Sequence, residues 1–160
     1  MRNGFSLIEV IVAVFLISVG LVAAFSLINQ TIYYTQTVSS RLTAIYLAQE
    51  GLEIVKNIRD SNFLNVYNWK NGLNSCESGC RADYNSATLN PAWNTYLRFD
   101  GNFYSYNSGP DTKFMRKITV TPNDSDILNV LNVSVEVSWS DKGRPYNKII
   151  EERLYNWQQQ

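Results

Sequence analysis

The chain has 160 residues, with 14 Lys plus Arg and 14 Asp plus Glu, so its formal charge at pH 7 is zero. This balance gives no support for a protein that binds nucleic acid mainly by electrostatics, because such proteins need a net basic surface. The absence of histidine removes the commonest general base and metal ligand, and two cysteines cannot complete a four-ligand zinc site without it. We therefore expect no catalytic residues, no cofactor, no metal site and no nucleic-acid partner.

The opening apolar segment, residues 5–28, is predicted to form a membrane-spanning helix. As a helix it measures about 36 Å, against about 30 Å for the hydrocarbon core of a bilayer. Arg2 precedes it, so the positive-inside rule places the N-terminus in the cytoplasm and everything after Ile28 outside. The alternative is an ordinary secretory signal peptide cut near Ser26, but its apolar region would be unusually long and no clear cleavage site follows.

Glu9 is the exception in this apolar segment. A carboxylate at the middle of a bilayer costs about 2.5–3.5 kcal/mol on insertion scales, and less near the interface. Two interpretations follow from the residues alone. Glu9 either reaches back to the nearby cytoplasmic surface, or it meets a positive charge that another molecule supplies.

Residues 4–10, with the sequence GFSLIEV, resemble the type IV prepilin signal, which type II secretion pseudopilins also carry. The resemblance implies that residues 1–4 are a leader peptide, that a prepilin peptidase cuts between Gly4 and Phe5, and that Phe5 is then N-methylated. It also implies that Glu9 is the assembly carboxylate, which pairs with the N-terminal amine of a neighbouring subunit. Opposite charges attract strongly at low dielectric, whereas each alone is costly to bury.

The resemblance also implies partners and a location. The partners are other pilin subunits packed helix to helix in a filament core, the prepilin peptidase and methylase, an assembly-platform membrane protein, and membrane lipid before assembly. The chain would cross the cytoplasmic membrane once and then enter a pilus or pseudopilus outside it. Residues 17–21 (ISVGL) are most similar to minor pilins of the pilus-modification (PilV-type) group, and the Pro that many major pilins carry near Ser26 is absent.

Residues 29–60 are predicted to continue the helix as an amphipathic segment. One apolar stripe recurs at steps of three and four residues, which keeps it on one helical face. We interpret this face as the one that covers the chain's own sheet. The stripe consists of Val38, Leu42, Ile45, Ala48, Leu52, Val55 and Ile58.

Residues 61–95 are predicted to be a loop-rich connection with one short strand at Arg81–Asn85. The segment contains Cys76 and Cys80. Outside the membrane an even cysteine count favours a disulfide, which over so short a loop would pin a turn. A redox-active pair is the weaker interpretation, because the spacing is not C-x-x-C.

Residues 96–157 are predicted to form an antiparallel sheet, followed by a tail at 158–160. Apolar and polar residues alternate along 131–140, and turn residues separate this run from strands at 146–155, 114–121, 96–99 and 103–106. The predicted fold class is α+β and type IV pilin-like, with the long N-terminal helix packed on this sheet. Asp124 and Asp126 match the start of a calcium loop, but the Gly and Glu that complete such a loop are missing, which favours a solvated turn.

The predicted function is that of a structural subunit, a minor pilin or pseudopilin, in a type IV pilus-like filament. One alternative is a pseudopilin of a type II secretion system. Another is a membrane-anchored extracytoplasmic binding domain whose helix is only an anchor. A periplasmic enzyme is disfavoured, because the sequence has neither histidine nor a nucleophile motif.

Overall fold

The computed structural model of the chain describes residues 4, 6–74 and 76–157. The predicted leader residues 1–3, Phe5 and the tail 158–160 lie outside the described residues. The chain divides into two units, residues 1–40 and residues 41–160. Helix α1, Leu7–Leu64, begins in the first unit and ends in the second.

The second unit contains the end of α1 and five strands within its described residues. The strands are β1 (Tyr96–Phe99), β2 (Tyr104–Ser105), β3 (Asp111–Pro122), β4 (Val130–Asp141) and β5 (Arg144–Tyr155). They form one antiparallel sheet in the order β2-β1-β3-β4-β5. The helical residues after Arg41 pack on this sheet, which confirms the predicted α+β, pilin-like architecture.

β3 and β4 each have one buried and one more exposed face, whereas β5, at the edge of the sheet, is mostly exposed. Ile118, Val135 and Ile150 are neighbours across β3, β4 and β5, and the residues on either side of them along each strand point to the opposite face. Alternation of this kind is typical of a sheet with one face on the core and the other exposed. The turn between β4 and β5 consists of Lys142 and Gly143, both with positive φ (50° and 79°), as a two-residue hairpin requires.

The helix buries Ala44, Leu47, Ala48, Val55 and Ile58 against the sheet. The predicted stripe is therefore correct from Ile45, which is half-buried, onward and wrong before it, because Leu42 is 49% exposed and Val38 is 63% exposed. Successive helix residues rotate by about 100°, so Leu42 lies on roughly the opposite side from Ala44. Ala44 and Leu47 are the buried core residues in this turn of the helix.

The helix ends in a Schellman cap with an unusual residue. The Tyr67 N–H donates to the Asn62 carbonyl (2.9 Å) and the Val66 N–H donates to the Phe63 carbonyl (3.2 Å). The cap residue Val66 has φ 59°, a left-handed conformation that glycine normally supplies. Its side chain is 92% exposed.

Two sequence expectations for the connection and the sheet are wrong in detail. No strand forms at Arg81–Asn85: Arg81 makes only an isolated bridge to Asn90, and the chain then turns, with the Ser86 N–H donating to the Asp83 carbonyl (2.9 Å). The side chains of Asp83 and Ser86 also bond to each other, which favours a turn over an extended strand. The strand expected at 103–106 is limited to β2.

Candidate functional site: the N-terminal helix and its seat on the sheet

The first turn of α1 places Glu9 where a helix favours an acid. Ser6 directly precedes the helix, and its carbonyl accepts hydrogen bonds from the N–H groups of Glu9 (3.1 Å) and Val10 (3.3 Å). The spacing from Ser6 to Glu9 is that of a capping box, in which an acid three residues into the helix supports its start. A carboxylate here also interacts favourably with the helix dipole. Glu9 therefore has a local structural role available to it, which the sequence interpretation did not consider.

Gly4 and Glu9, the predicted cleavage and assembly residues, are both exposed. A Cβ added to Gly4 would meet no atom of the described residues within 4 Å. Glu9 is exposed, and within the described residues its carboxylate has no hydrogen bond or ion pair. Phe5, the predicted methylation site, lies outside the described residues. The structure therefore leaves Gly4 and Glu9 accessible to other molecules.

The apolar part of α1 is uncovered. Every residue from Leu7 to Ile32 is exposed, and the large apolar side chains between Leu7 and Ile28 range from 48% exposed at Val12 to 77% at Leu7. By length and composition α1 suffices to cross a membrane, and none of its most apolar stretch is buried in the structure. Apolar surface of this extent is unstable in water, so it calls for lipid or other helices.

Hydroxyl groups within this helix bond to its own backbone. Ser18 Oγ donates to the Phe15 carbonyl (2.8 Å), and Thr31 Oγ1 donates to the Leu27 carbonyl (2.9 Å). In hydrocarbon a polar group without a partner is costly, and bonding to the preceding turn removes that cost. Ser18 and Thr31 are therefore compatible with a membrane environment.

Residues 1–25 match the family model of the prokaryotic N-terminal methylation motif. The matched segment includes Gly4, Phe5, Glu9 and most of the apolar helix. The motif supports a type IV pilin-like or pseudopilin-like protein, and it implies processing by a prepilin peptidase and assembly with other pilins. It favours a structural subunit over an enzyme, and together with the apolar helix it fits a membrane-anchored, surface-exposed protein. No curated protein and no solved structure matches the chain significantly.

In the second unit, a buried arginine joins the pilin-like helix to the sheet and to the connecting loop. The side chain of Arg116, on β3, is fully buried. Its Nη1 donates to the Leu47 carbonyl (3.0 Å) and lies 3.2 Å from a Glu50 carboxylate oxygen, while Nη2 donates to the Ala82 carbonyl. Desolvation of a guanidinium costs several kcal/mol, which these three partners offset. Its Nε–H has no partner in the described part of the chain.

Gly51 lets the helix approach the sheet at this point. A Cβ at Gly51 would lie 2.8 Å from Val135 Cγ1 and 3.1 Å from Arg116 Cδ, closer than van der Waals contact allows. Neither Gly51 nor Arg116 was singled out from the sequence. The sequence does contain a sign that Arg116 is buried, because Arg116 occupies an inward position between Phe114 and Ile118 in an otherwise apolar alternation.

Tyr106 completes the surroundings of the buried arginine. Burial raises the pKa of the Tyr106 phenol, and the nearby Asp83 adds to this, while Arg116 and Arg81 act in the opposite direction. The phenol therefore stays protonated well past neutral pH, and its O–H donates to the Arg116 carbonyl (3.4 Å). The pKa of Tyr104 is also raised, first by burial and then by the negative charge of Glu50.

The two cysteines are joined in the structure, with their sulfur atoms 1.99 Å apart. Their loop lies along β3 beyond the point where β1 stops pairing. The Cys80 N–H donates to the Ile118 carbonyl (2.7 Å), the Ile118 N–H returns a bond to Cys80 (2.8 Å), and the Val120 N–H donates to the Cys76 carbonyl (3.3 Å). The disulfide loop thus covers part of a sheet edge, a role that its position in the sequence did not reveal.

In the segment considered as a calcium loop, the Asp126 side chain takes part in the hydrogen bonds of a turn. The Asp126 carboxylate accepts from the backbone N–H (3.1 Å) and the side-chain amide (3.3 Å) of Asn129. Across residues 4, 6–74 and 76–157, no group of three or more acidic or cysteine side chains is arranged to hold a metal ion.

Proposed function

We propose that the chain is a minor pilin or pseudopilin, a structural subunit of a type IV pilus-like filament. The observation that carries the proposal is the methylation motif at residues 1–25, which includes the start of an apolar helix that no other described residue covers. The resemblance of residues 17–21 to PilV-type minor pilins favours a minor pilin over a pseudopilin. The absence of histidine and of a nucleophile motif agrees with a structural role rather than with catalysis.

In this proposal the chain first crosses the cytoplasmic membrane once, with its N-terminus in the cytoplasm. A prepilin peptidase then cuts between Gly4 and Phe5, and its methylase activity modifies the new amino group of Phe5. The subunit leaves the bilayer sideways through the assembly platform. Neighbouring apolar helices replace the lipid around residues 5–28, and residues 41–160 form the surface of the filament.

Glu9 supplies the driving charge for assembly. Its carboxylate is costly to place in hydrocarbon, by about 2.5–3.5 kcal/mol at the bilayer centre. A positively charged N-terminal amine from a neighbouring subunit would neutralise it at low dielectric, where the attraction is strong. A single subunit carries the cost, whereas an assembled pair removes it, so the proposal makes Glu9 a determinant of assembly rather than of membrane insertion.

The first experiment is the N-terminal mass of the protein purified from membranes of cells that carry a prepilin peptidase. A chain that starts at N-methylated Phe5 supports the proposal. An intact Met1, or a cut near Ser26, would overturn it and leave an anchored or secreted domain.

The second experiment separates the charge of Glu9 from its position in the first helical turn. Glu9→Gln keeps the capping-box spacing and a side chain of the same length but removes the charge, whereas Glu9→Asp keeps the charge. Glu53→Gln is the matched control, because Glu53 is an exposed acid later in the same helix. We expect Glu9→Gln to remain in the membrane and to be lost from sheared filaments, with Glu9→Asp intermediate and Glu53→Gln normal. Normal assembly of Glu9→Gln would show that only the helix start matters.

The location of the filament separates the two members of the proposal. A minor pilin is recovered in filaments sheared from the cell surface, whereas a secretion pseudopilin stays in the cell envelope, and its deletion blocks export of folded proteins. A membrane-anchored binding domain predicts neither result, because Glu9→Gln would then leave localisation and function unchanged.

A further inference from the structure

The outer face of the sheet, on the side away from α1, carries two recesses that adjoin each other. The first, here called the hydroxyl recess, has a volume of about 530 Å³. The second, here called the tryptophan recess, has a volume of about 270 Å³. Lys117 and Glu136 in the tryptophan recess are the next residues on the same face as Thr119 and Ser134 in the hydroxyl recess, so the two recesses are neighbours and are together called the groove.

The hydroxyl recess holds polar groups that the chain itself does not use. Thr119, Thr121 and Ser134 are half-buried, and within the described residues their hydroxyl groups have no hydrogen-bond partner. The same is true of the Glu151 carboxylate and the Arg153 guanidinium, which lie on this face of β5. Donors and acceptors that are both available, side by side on a rigid sheet, suit a ligand that itself carries many hydroxyl groups.

The tryptophan recess adds a stacking surface at the other end of the groove. Trp93 is half-buried, and the Lys117 ammonium lies 4.7 Å from the centroid of its ring. Glu136 is held in position by a hydrogen bond from the Asn147 side-chain amide (2.9 Å). An aromatic ring beside fixed polar groups binds an amphipathic ring, because it covers the apolar face and leaves the polar edge to hydrogen bonds.

Charge and lining limit the kind of ligand. Lys117 and Arg153 carry two positive charges along the groove, and Glu136 and Glu151 carry two negative charges. A third acid in the lining, Glu152, is neutralised by its ion pair with Lys56 (2.8 Å), so the charges of the groove cancel. A balanced groove has no net potential that would attract an anion or a cation. Its walls expose polar and apolar surface in comparable amounts, which suits an amphipathic ligand better than a wholly apolar one such as a lipid chain.

We infer that this groove binds a neutral oligosaccharide of at least two sugar rings. One ring stacks on the face of Trp93 opposite the Lys117 ammonium, and the hydroxyl groups of the following ring bond with Thr119, Ser134, Glu151 and Arg153. A neutral glycan is complementary to the groove, because it has no net charge, many hydroxyl groups and an apolar ring face. This inference does not depend on filament assembly, and its test uses the subunit alone.

The test is a binding titration of the full chain in detergent micelles with three neutral trisaccharides: cellotriose, maltotriose and triacetylchitotriose. Thr119→Val with Ser134→Ala removes two unused hydroxyl groups from the exposed face. Ser140→Ala is the matched control, because Ser140 lies on the same face of β4 but outside both recesses. Trp93→Leu tests the stacking surface, with backbone amide spectra of β4 and β5 to show that the sheet is retained.

We expect at least one trisaccharide to bind and to shift the amide signals of Thr119, Ser134 and Trp93. The double variant should weaken that binding by about tenfold, since each lost hydrogen bond reduces affinity severalfold, and Ser140→Ala should leave it unchanged. The inference is overturned if none of the trisaccharides binds at millimolar concentration, or if binding is equally strong in the double variant.

Discussion

Gly51→Ala tests how closely the helix approaches the sheet. In an isolated helix this change is favourable by about 1 kcal/mol, because alanine loses less backbone entropy than glycine. In this structure the new Cβ would lie 2.8 Å from Val135 Cγ1, an atom of a buried β-branched side chain. The second close atom, Arg116 Cδ at 3.1 Å, belongs to a side chain fixed by hydrogen bonds. Neither neighbour can move away freely.

The two effects have opposite signs, and packing is the larger. Inserting a methyl group into a well-packed core costs about 1–3 kcal/mol. After subtraction of the gain in helix propensity, we expect Gly51→Ala to lower the free energy of unfolding by about 1 kcal/mol. The sequence alone predicts the reverse sign, so the measurement distinguishes the two arguments.

The assay is urea unfolding of the full chain in detergent micelles, followed by tryptophan fluorescence. All four tryptophans (Trp69, Trp93, Trp139 and Trp157) lie in the second unit, so the signal reports on the unit that contains the contact.

Val135→Ala supplies the control for Gly51→Ala, because it removes the clashing Cγ1. In that background Gly51→Ala should become neutral or stabilising. A wild-type background in which Gly51→Ala stabilises the protein by about 1 kcal/mol would refute the close approach.

Three further predictions follow from local geometry. Val66→Gly should raise the free energy of unfolding by about 1 kcal/mol, because a left-handed conformation is strained for valine and not for glycine; urea unfolding measures it. The pKa of Asp100 should lie below its ordinary value, because the backbone N–H groups of the following turn bond to its carboxylate. The small stability that this carboxylate contributes is therefore present at neutral pH and is lost as the pH falls through the lowered pKa. An NMR titration of the carboxyl carbon measures this pKa. Replacement of both Cys76 and Cys80 by alanine should lower stability by about 2 kcal/mol and should speed amide exchange at Ile118, whose N–H donates to the disulfide loop.

Each of these predictions has a result that contradicts it. For Val66→Gly, that result is unchanged or reduced stability. A titration midpoint for Asp100 at or above the ordinary value would mean that the turn hydrogen bonds do not form. Amide exchange that rises equally at Ile118 and at Val135, in the middle of the sheet, would show that the disulfide acts on the whole unit rather than on one edge.

Local pattern predicted the elements of this fold well. The alternation along 131–140 appears as β4, and the glycine-containing turn after it appears as the two-residue hairpin at Lys142 and Gly143. Such signals are reliable because side-chain alternation and backbone conformation are properties of neighbouring residues. The prediction of a strand at Arg81–Asn85 failed for a related reason: hydrogen bonding between Asp83 and Ser86 favours a turn there.

The sequence by itself determined the prepilin-type processing signal and the membrane-spanning segment on which the proposed function rests. Gly4, Phe5 and Glu9 and the apolar segment after them are close together in the chain. A peptidase or a bilayer recognises such a segment without any contribution from the rest of the fold. The tertiary structure alone decided the sign expected at Gly51, the burial of Arg116 and the sheet edge covered by Cys76 and Cys80. These depend on atoms from distant segments, whose spacing is set by packing rather than by any pattern along the chain.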